Sequence, residues 1–481
     1  MSSNDRSKRL GEGSVPRLLL TFSLPAIVGM MAQAMYYVVD RIYVGQGLGP
    51  DAIAGLTVAF PFMLILLAFG MLVGRGATAL VSIRLGEQNK EEAERVLGNA
   101  ATLLVVTSVV LTAVGLMLMD PLLRAFGASD VVLPYARDYL QIIILGSIFQ
   151  TFSFGLNAVI RGEGNPRIAM LTMLIGVVLN VALAPLLIFG FDLGMRGAGL
   201  ATVASQAVSA VWVTAYFLGR HSLLRLRARN LRLRRKICLA ILAIGSPPCV
   251  MQLAASVVNG VLNNQLGTYG GDQAISVMGI LFAVIMMIAM PIYGINQGAQ
   301  PIIGYNYGAR RFDRVKRTLQ TAILAATALT TAGFLLAMAI PAQLVGLFSP
   351  ADAGLLDPGV HAMRMSLVML PIIGFQIVSA SYFQAVGKPG QAMFLSLSRQ
   401  FLLLIPAALI LPRFFGLDGV WAAMPTADLG SSLLTGLWLF LELRHLGRRH
   451  AETSDPASLP VVFVADLSRV NHEEHEGERE Y

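Results

Sequence analysis

Charge is what this sequence has least of. Lys, Arg, Asp and Glu make up 13% of its 481 residues, about half the density of a soluble globular chain. That excludes an ordinary soluble domain. Cysteine is nearly absent: Cys238 and Cys249 are the only two, both in apolar surroundings, which excludes a disulfide framework. None of the six histidines falls inside an apolar run, so no histidine proton relay is expected. No GxxxxGKS or GxxxxGKT loop occurs, which argues against a built-in ATPase. No catalytic triad or metal-ligand cluster can be assembled. Neither an enzyme nor a cofactor is expected.

What fills the sequence is apolar: 55% of residues are hydrophobic. Twelve runs lie near 17–44, 52–80, 97–119, 138–160, 168–190, 197–218, 238–267, 274–303, 318–340, 362–385, 391–414 and 419–443. Each reaches the roughly 20 residues that a helix needs to cross a bilayer, and none alternates as a barrel strand does. The expected fold is an all-α polytopic membrane protein. The first run is too long for a signal-peptide core and shows no small-residue cleavage site, so it is expected to stay as the first span. The net charge of +8 does not point to nucleic acid, because the bases lie in short connections and form no continuous face.

Those bases set the topology. Arg6, Lys8, Arg9 and Arg17 precede span one. Arg84, Lys90 and Arg95 follow span two, and Arg161 and Arg167 follow span four. Eight bases crowd 220–236 after span six, and five more lie between Arg310 and Arg317 after span eight. Lys388 follows span ten, and Arg444, Arg448 and Arg449 end span twelve. The other connections are poor in base. Both termini are therefore expected in the cytoplasm.

The sequence also repeats at an offset of 222: Pro25 matches Pro247, Gly76-Ala77 matches Gly298-Ala299, Gly86 matches Gly308 and Gly197 matches Gly419. With one residue of slip, Gly164 and Pro166 match Gly387 and Pro389. Six spans per half is an even number, so two six-helix lobes should share one topology about a pseudo-twofold along the membrane normal. The expected organisation is a cytoplasmic tail (1–16), an N-terminal lobe (17–219), a basic cytoplasmic linker (220–236), a C-terminal lobe (237–446) and a polar, disordered cytoplasmic tail (447–481). The linker "RHSLLRLRARNLRLRRK" either lies on anionic lipid headgroups or is a solvated loop obeying topology.

Two acids fall inside spans: Asp40 in span one and Asp428 in span twelve. Gln33, Tyr36, Tyr37 and Asp40 share one helix face by their spacing. Spans four, five and six offer Asn157, Asn180 and Thr202. Poor hydration favours the neutral form of a carboxylic acid, which suits Asp40 to take up and release a proton. An intramembrane acid is a functional candidate by default. Two other readings stay open for it: an interfacial anchor paired with Arg41, or a lock on helix packing. Asp428 is a candidate second acid or simply interhelical glue. Span seven carries Gln252, Ser256, Asn259 and Asn263 on one face, span eight Tyr293, Asn296, Gln297 and Gln300, and span ten Gln376. These faces line a polar cavity or bond between helices. Asn263 lies within one residue of the repeat register of Asp40, so an amide is expected where the other lobe has an acid. Arg75 is expected to snorkel to the cytoplasmic interface.

"SLPAIVGMMAQAMYYVVDRIYVGQGLG" resembles the first span of multidrug and toxin extrusion (MATE) antiporters. "GINQGAQPIIGYNYGARRFDRVKRTL" resembles their eighth span and its following loop, and "VIRGEGNPRIAMLTMLIGVVLNVALAPLLIFGF" their spans four to five. The resemblance covers 17–445 and lies closest to the DinF-like bacterial side. It implies alternating access and export of cationic or amphiphilic small molecules against protons or sodium. It maps the coupling-ion site onto Asp40, Asn157, Asn180 and Thr202, with Gln33 and Tyr36 alongside. One position departs: Ala184 stands where the family usually has an acid. Sodium prefers several hard oxygen ligands, so the proton is the expected coupling ion and sodium the alternative. The expected setting is the bacterial inner membrane, as a lipid-embedded monomer with no nucleic-acid partner. Two other functions remain: a lipid-linked precursor flippase, for which extra spans and a basic cavity would be signs, and a non-transporting membrane receptor or scaffold.

Overall fold

The computed structural model describes residues 10–126, 128, 130–219, 222–348 and 355–454. Within the helices, the side chains at 34, 37, 38, 41, 46, 50, 54, 256, 272, 283, 347, 348 and 445–454 lie outside the description. The expectations for Tyr37, Arg41, Ser256 and the end of the C-terminal tail (455–481) therefore fall outside it.

The described chain is helical throughout, without strands. Span one is Val15–Leu48 and span two Pro50–Gly86. Nine described helices are long and apolar enough to cross a bilayer, and two bent pairs raise the number to eleven. The pairs are spans four and ten: Leu133–Leu145 with Ser147–Gly162, bent by 55°, and Leu356–Ser366 with Leu370–Ala385, bent by 51°. Span twelve is Leu417–Ser454, less apolar because it carries Asp428 and a polar end. This is the expected all-α membrane fold of twelve spans.

The duplication reappears in the backbone. Short turns between antiparallel helices need residues in left-handed conformations. Gly49 and Gly271 have φ of 85° and 63°, Gln88 and Arg310 60° and 56°, and Gly194 and Gly416 54° and 58°. Each pair is 222 residues apart. Gly164 and Gly387, at 95° and 75°, keep the one-residue slip. The breaks at Gly146 and at Leu367–Met369 fall in the same register. Spans five and eleven both loosen into π-helical turns, Leu186–Gly190 and Ser398–Leu404.

Packing differs between the two ends of the bundle. At the basic end one core joins both lobes, with Val73, Ala77 and Leu97 beside Ile241, Ile302 and Leu319. Backbones meet there at glycine. A methyl on Gly245 would stand 1.6 Å from the Leu72 carbonyl oxygen, and one on Gly76 1.9 Å from that of Ile241. At the other end the cores are separate. One holds only N-lobe residues such as Val44, Leu66, Ile143 and Ala201; the other holds only C-lobe residues such as Leu262, Leu281 and Trp421. The lobes are sealed at the basic end and part from one another at the opposite end.

The linker backbone from Ser222 onward is not a free loop. It docks on the N-lobe. Glu163, fully buried, accepts from Tyr216, from the Ser222 hydroxyl at 2.7 Å and from the Leu223 and Leu224 amides. Asn99 accepts from the Arg234 amide at 2.7 Å, and Glu94 pairs with Arg227 at 3.1 Å. The N-terminal segment crosses to the other lobe. Arg311 donates to Gly11 O at 2.7 Å, and Arg314 to Gly13 O at 2.6 Å.

Candidate functional site

Asp40 is buried, at 6% exposure, one helical turn beyond Tyr36. That turn faces spans five and six. The Tyr36 hydroxyl lies 3.1 Å from Thr202 Oγ1, and Asn180 Nδ2 donates to the same oxygen at 3.2 Å. Tyr36, Asn180 and Thr202 are all buried. Tyr36, Asn180 and Thr202 thus form a small polar nest inside the N-lobe, and Asp40 is buried one turn further along span one. Polar groups in such a setting need partners, since unpaired burial costs about 1–3 kcal/mol each. Ala184, one turn from Asn180, is fully buried in the apolar N-lobe core with Val44, Ala198 and Ala201. No second carboxylate stands at that position.

Asn157 is held elsewhere. Its Nδ2 donates to Ala169 O at 3.0 Å, and its Oδ1 accepts from Arg161 at 2.9 Å. It ties span four to span five and to a buried arginine, not to Thr202. Gln33 is half-buried on span one, one turn before Tyr36.

The amide faces separate into two groups. On span seven Asn259 and Asn263 are exposed and Gln252 is half-buried. Exposed amides in a membrane span fit water better than hydrocarbon, which agrees with lobes parted at that end. The strict register partner of Asp40 is Leu262, 1% exposed in the C-lobe core. The expected acid–amide exchange between lobes is therefore corrected: the C-lobe has leucine at the buried position, and Asn263 turns away from it. The second group bonds inside the protein. Gln297 contacts Met30 Sδ at 2.9 Å, Gln300 accepts from Arg75 at 3.3 Å, and Gln376 donates to Ser431 at 2.8 Å. Tyr293 is half-buried, within electrostatic reach of Arg75 and Arg399. Arg75 does not snorkel. It reaches across to span eight.

Asp428 has a partner that the sequence reading missed. Arg399 Nε lies 2.6 Å from Asp428 Oδ1, with Asp428 buried. Arg399 sits on the π-helical turn of span eleven. Its isolated position in "SLSRQFLLLIP" was the available signal. Glu442, at the basic end, pairs with Lys388 at 2.5 Å.

Comparison with known proteins gives one picture. The MatE family model matches residues 25–186 and 247–410, two segments that begin at Pro25 and Pro247, in the repeat register. Multidrug export protein MepA of Staphylococcus haemolyticus is 27% identical over 414 residues, covering 86% of this chain and 91% of the relative. A MATE transporter solved in a bent conformation superposes with a TM-score of 0.88 at 26% identity, covering 93% of this chain and 99% of the other. An outward-facing multidrug resistance MATE transporter superposes at 0.86 and 26%, covering 91% and 98%.

Proposed function

The chain belongs to the MatE family of membrane transporters, not enzymes, and from that premise we propose that it exports multiple cationic or amphiphilic drugs in exchange for protons. The observation that carries this reading is Asp40, a buried acid on span one a turn from the nest of Tyr36, Asn180 and Thr202. Among the described residues, the buried acids Glu94, Asp428 and Glu442 pair with bases, and Glu163 holds the linker. As a carboxylate it attracts a cation; as a neutral acid it releases one. Protonation from the open side would drive release, and deprotonation at the basic end would reset the site. One charge moving inward yields about 2.3 kcal/mol per 100 mV, enough for a concentration ratio of some tens.

The proton suits this site better than sodium. Ala184 leaves one carboxylate, and a hard cation favours several oxygen ligands. The basic end is taken as cytoplasmic, by the distribution of Lys and Arg, in a bacterial inner membrane. No cofactor is needed, and the chain is taken to work as a monomer in lipid, without nucleic acid. The test is dye efflux from proteoliposomes under a pH gradient or a sodium gradient, imposed separately. Wild type should respond to the pH gradient alone. Asp40→Asn should lose gradient-driven efflux by roughly tenfold or more while still binding dye. Undiminished efflux in that variant, or a response to sodium alone, overturns the proton reading.

A further inference from the structure

Two cations inside the described protein have a carboxylate partner. Arg399 has Asp428, and Lys388 has Glu442. Arg75 and Arg161 do not. Among the described residues, the partners of both are amides: Gln300 Oε1 for Arg75 at 3.3 Å, and Asn157 Oδ1 for Arg161 at 2.9 Å. A guanidinium carries five N–H donors, so each keeps donors to spare.

The fold brings these two charges together. Spans two and four touch at glycine: a methyl on Gly74 would stand 2.9 Å from Gly155 Cα. About two turns further, Ser82 donates to Gly162 O at 3.0 Å. Arg75 follows Gly74, and Arg161 reaches back to Asn157, two residues beyond Gly155, which brings the Arg161 guanidinium within range of the Arg75 charge. Arg161 is 7% exposed and Arg75 half-buried. Span eight, with Gln300 and Tyr293, closes the third side.

Two like charges in such a place are unfavourable. Removing an ion from water costs several kcal/mol, and repulsion between the two adds to it. Amide dipoles offset part of that cost but supply no counter-charge. Charges inside membrane proteins persist where a pathway or a ligand uses them. A planar guanidinium fork matches the two oxygens of a carboxylate or phosphate.

We infer that Arg75 and Arg161, with Gln300 and Asn157, form a binding site for the carboxylate or phosphate group of an amphiphile. The site is distinct from the Asp40 nest, which takes positive charge. The two sites together would accept a zwitterion at both ends and an anionic amphiphile at one. The inference rests on the export reading for its substrate but not on proton coupling, and it is tested by binding with no gradient present.

The full chain is purified in a non-ionic detergent without phosphate. Fluorescence anisotropy then measures binding of a carboxylated xanthene dye and of its methyl ester. The two dyes differ only in the free carboxylate. Losing one or two charge-assisted hydrogen bonds predicts that Arg75→Gln and Arg161→Gln weaken the acid roughly tenfold or more. The ester should stay within about twofold, and Arg161→Lys should recover part of the loss. Equal weakening of both dyes, or no weakening of the acid, overturns the site. If the glutamine variants fail to fold, wild type decides by competition. Inorganic phosphate, dodecyl phosphate or phosphatidylglycerol should displace the acid and spare the ester. Displacement by free phosphate marks a small oxyanion as sufficient; displacement by the lipid alone marks a headgroup. Displacement of neither dye by any competitor overturns the proposal.

Discussion

At the scale of single residues, a buried charge is informative only once its partner is known. Asp40 and Asp428 look alike in the sequence, as acids inside apolar runs. The structure separates them. Asp40 is buried one turn from Tyr36, whose hydroxyl meets Thr202, while Asp428 faces Arg399 at 2.6 Å. That pair joins spans eleven and twelve and gives Asp428 a structural task. Removing one partner of a buried pair leaves an uncompensated charge and costs about 3–5 kcal/mol, whereas replacing both with apolar groups is often neutral. Asp428→Asn should therefore lower the thermal unfolding midpoint sharply in detergent. The double variant Asp428→Leu with Arg399→Met should recover most of the loss. If Asp428→Asn keeps the wild-type midpoint but stops efflux, the pair is not structural glue and Asp428 becomes a second coupling acid. The sequence showed half of this pair. Arg399 was hidden because a base within an apolar run gives no sign of which neighbouring span it meets. Asn157 was misleading for the same reason: its type suits a polar nest, but its helix face turns it to Arg161.

At the scale of the helix, length and apolarity are local properties, so the spans were legible. So was the repeat, since identical turns need identical residues, and the left-handed positions keep the 222-residue spacing. The bends in spans four and ten were not legible. The break in span four falls at Gly146 without a proline, while that in span ten carries Pro371 at the start of its second helix. The glycines of the interface were visible only as matches in the repeat. Their use is steric. Gly245→Ala would drive a methyl to 1.6 Å from the Leu72 carbonyl oxygen, a backbone atom that cannot move aside alone. It should force spans two and seven apart and destabilise the sealed form. Gly260, on the same span, has nothing within 4 Å of an added methyl. Gly260→Ala should be neutral or stabilising by about 1 kcal/mol, from helix propensity. Thermal midpoints of the two variants check this. Equal behaviour would mean that the close approach at Gly245 does not hold the lobes together.

At the scale of the whole molecule, alternating access requires the sealed end to open, so whatever spans the lobes there sets the balance between states. Two segments do. The linker binds the N-lobe through Glu163, Glu94 and Asn99. The N-terminal segment, from the N-lobe, is clasped by the C-lobe: Arg314 donates to Asn306, Leu10 and Gly13, and Arg311 to Gly11. Leu10 is 1% exposed in the shared core. Nothing in "LGEGSVPR" announced such a clasp, because its bonds use backbone oxygens that every sequence has. Arg314→Ala removes two of them, to Leu10 O and Gly13 O, at roughly 1 kcal/mol net each. A loss of that size favours opening of the basic end by about tenfold or more. The chain carries its own reporter. Cys249 lies one turn from Gly245 on span seven and is 6% exposed. In a Cys238→Ser background, labelling of Cys249 by a maleimide should be slow in the sealed form and accelerate severalfold with Arg314→Ala. Adding Gly245→Ala should accelerate it further, since both changes loosen the same contact. An unchanged labelling rate in Arg314→Ala would show that the clasp is incidental, leaving the glycine contacts alone to set the closed state.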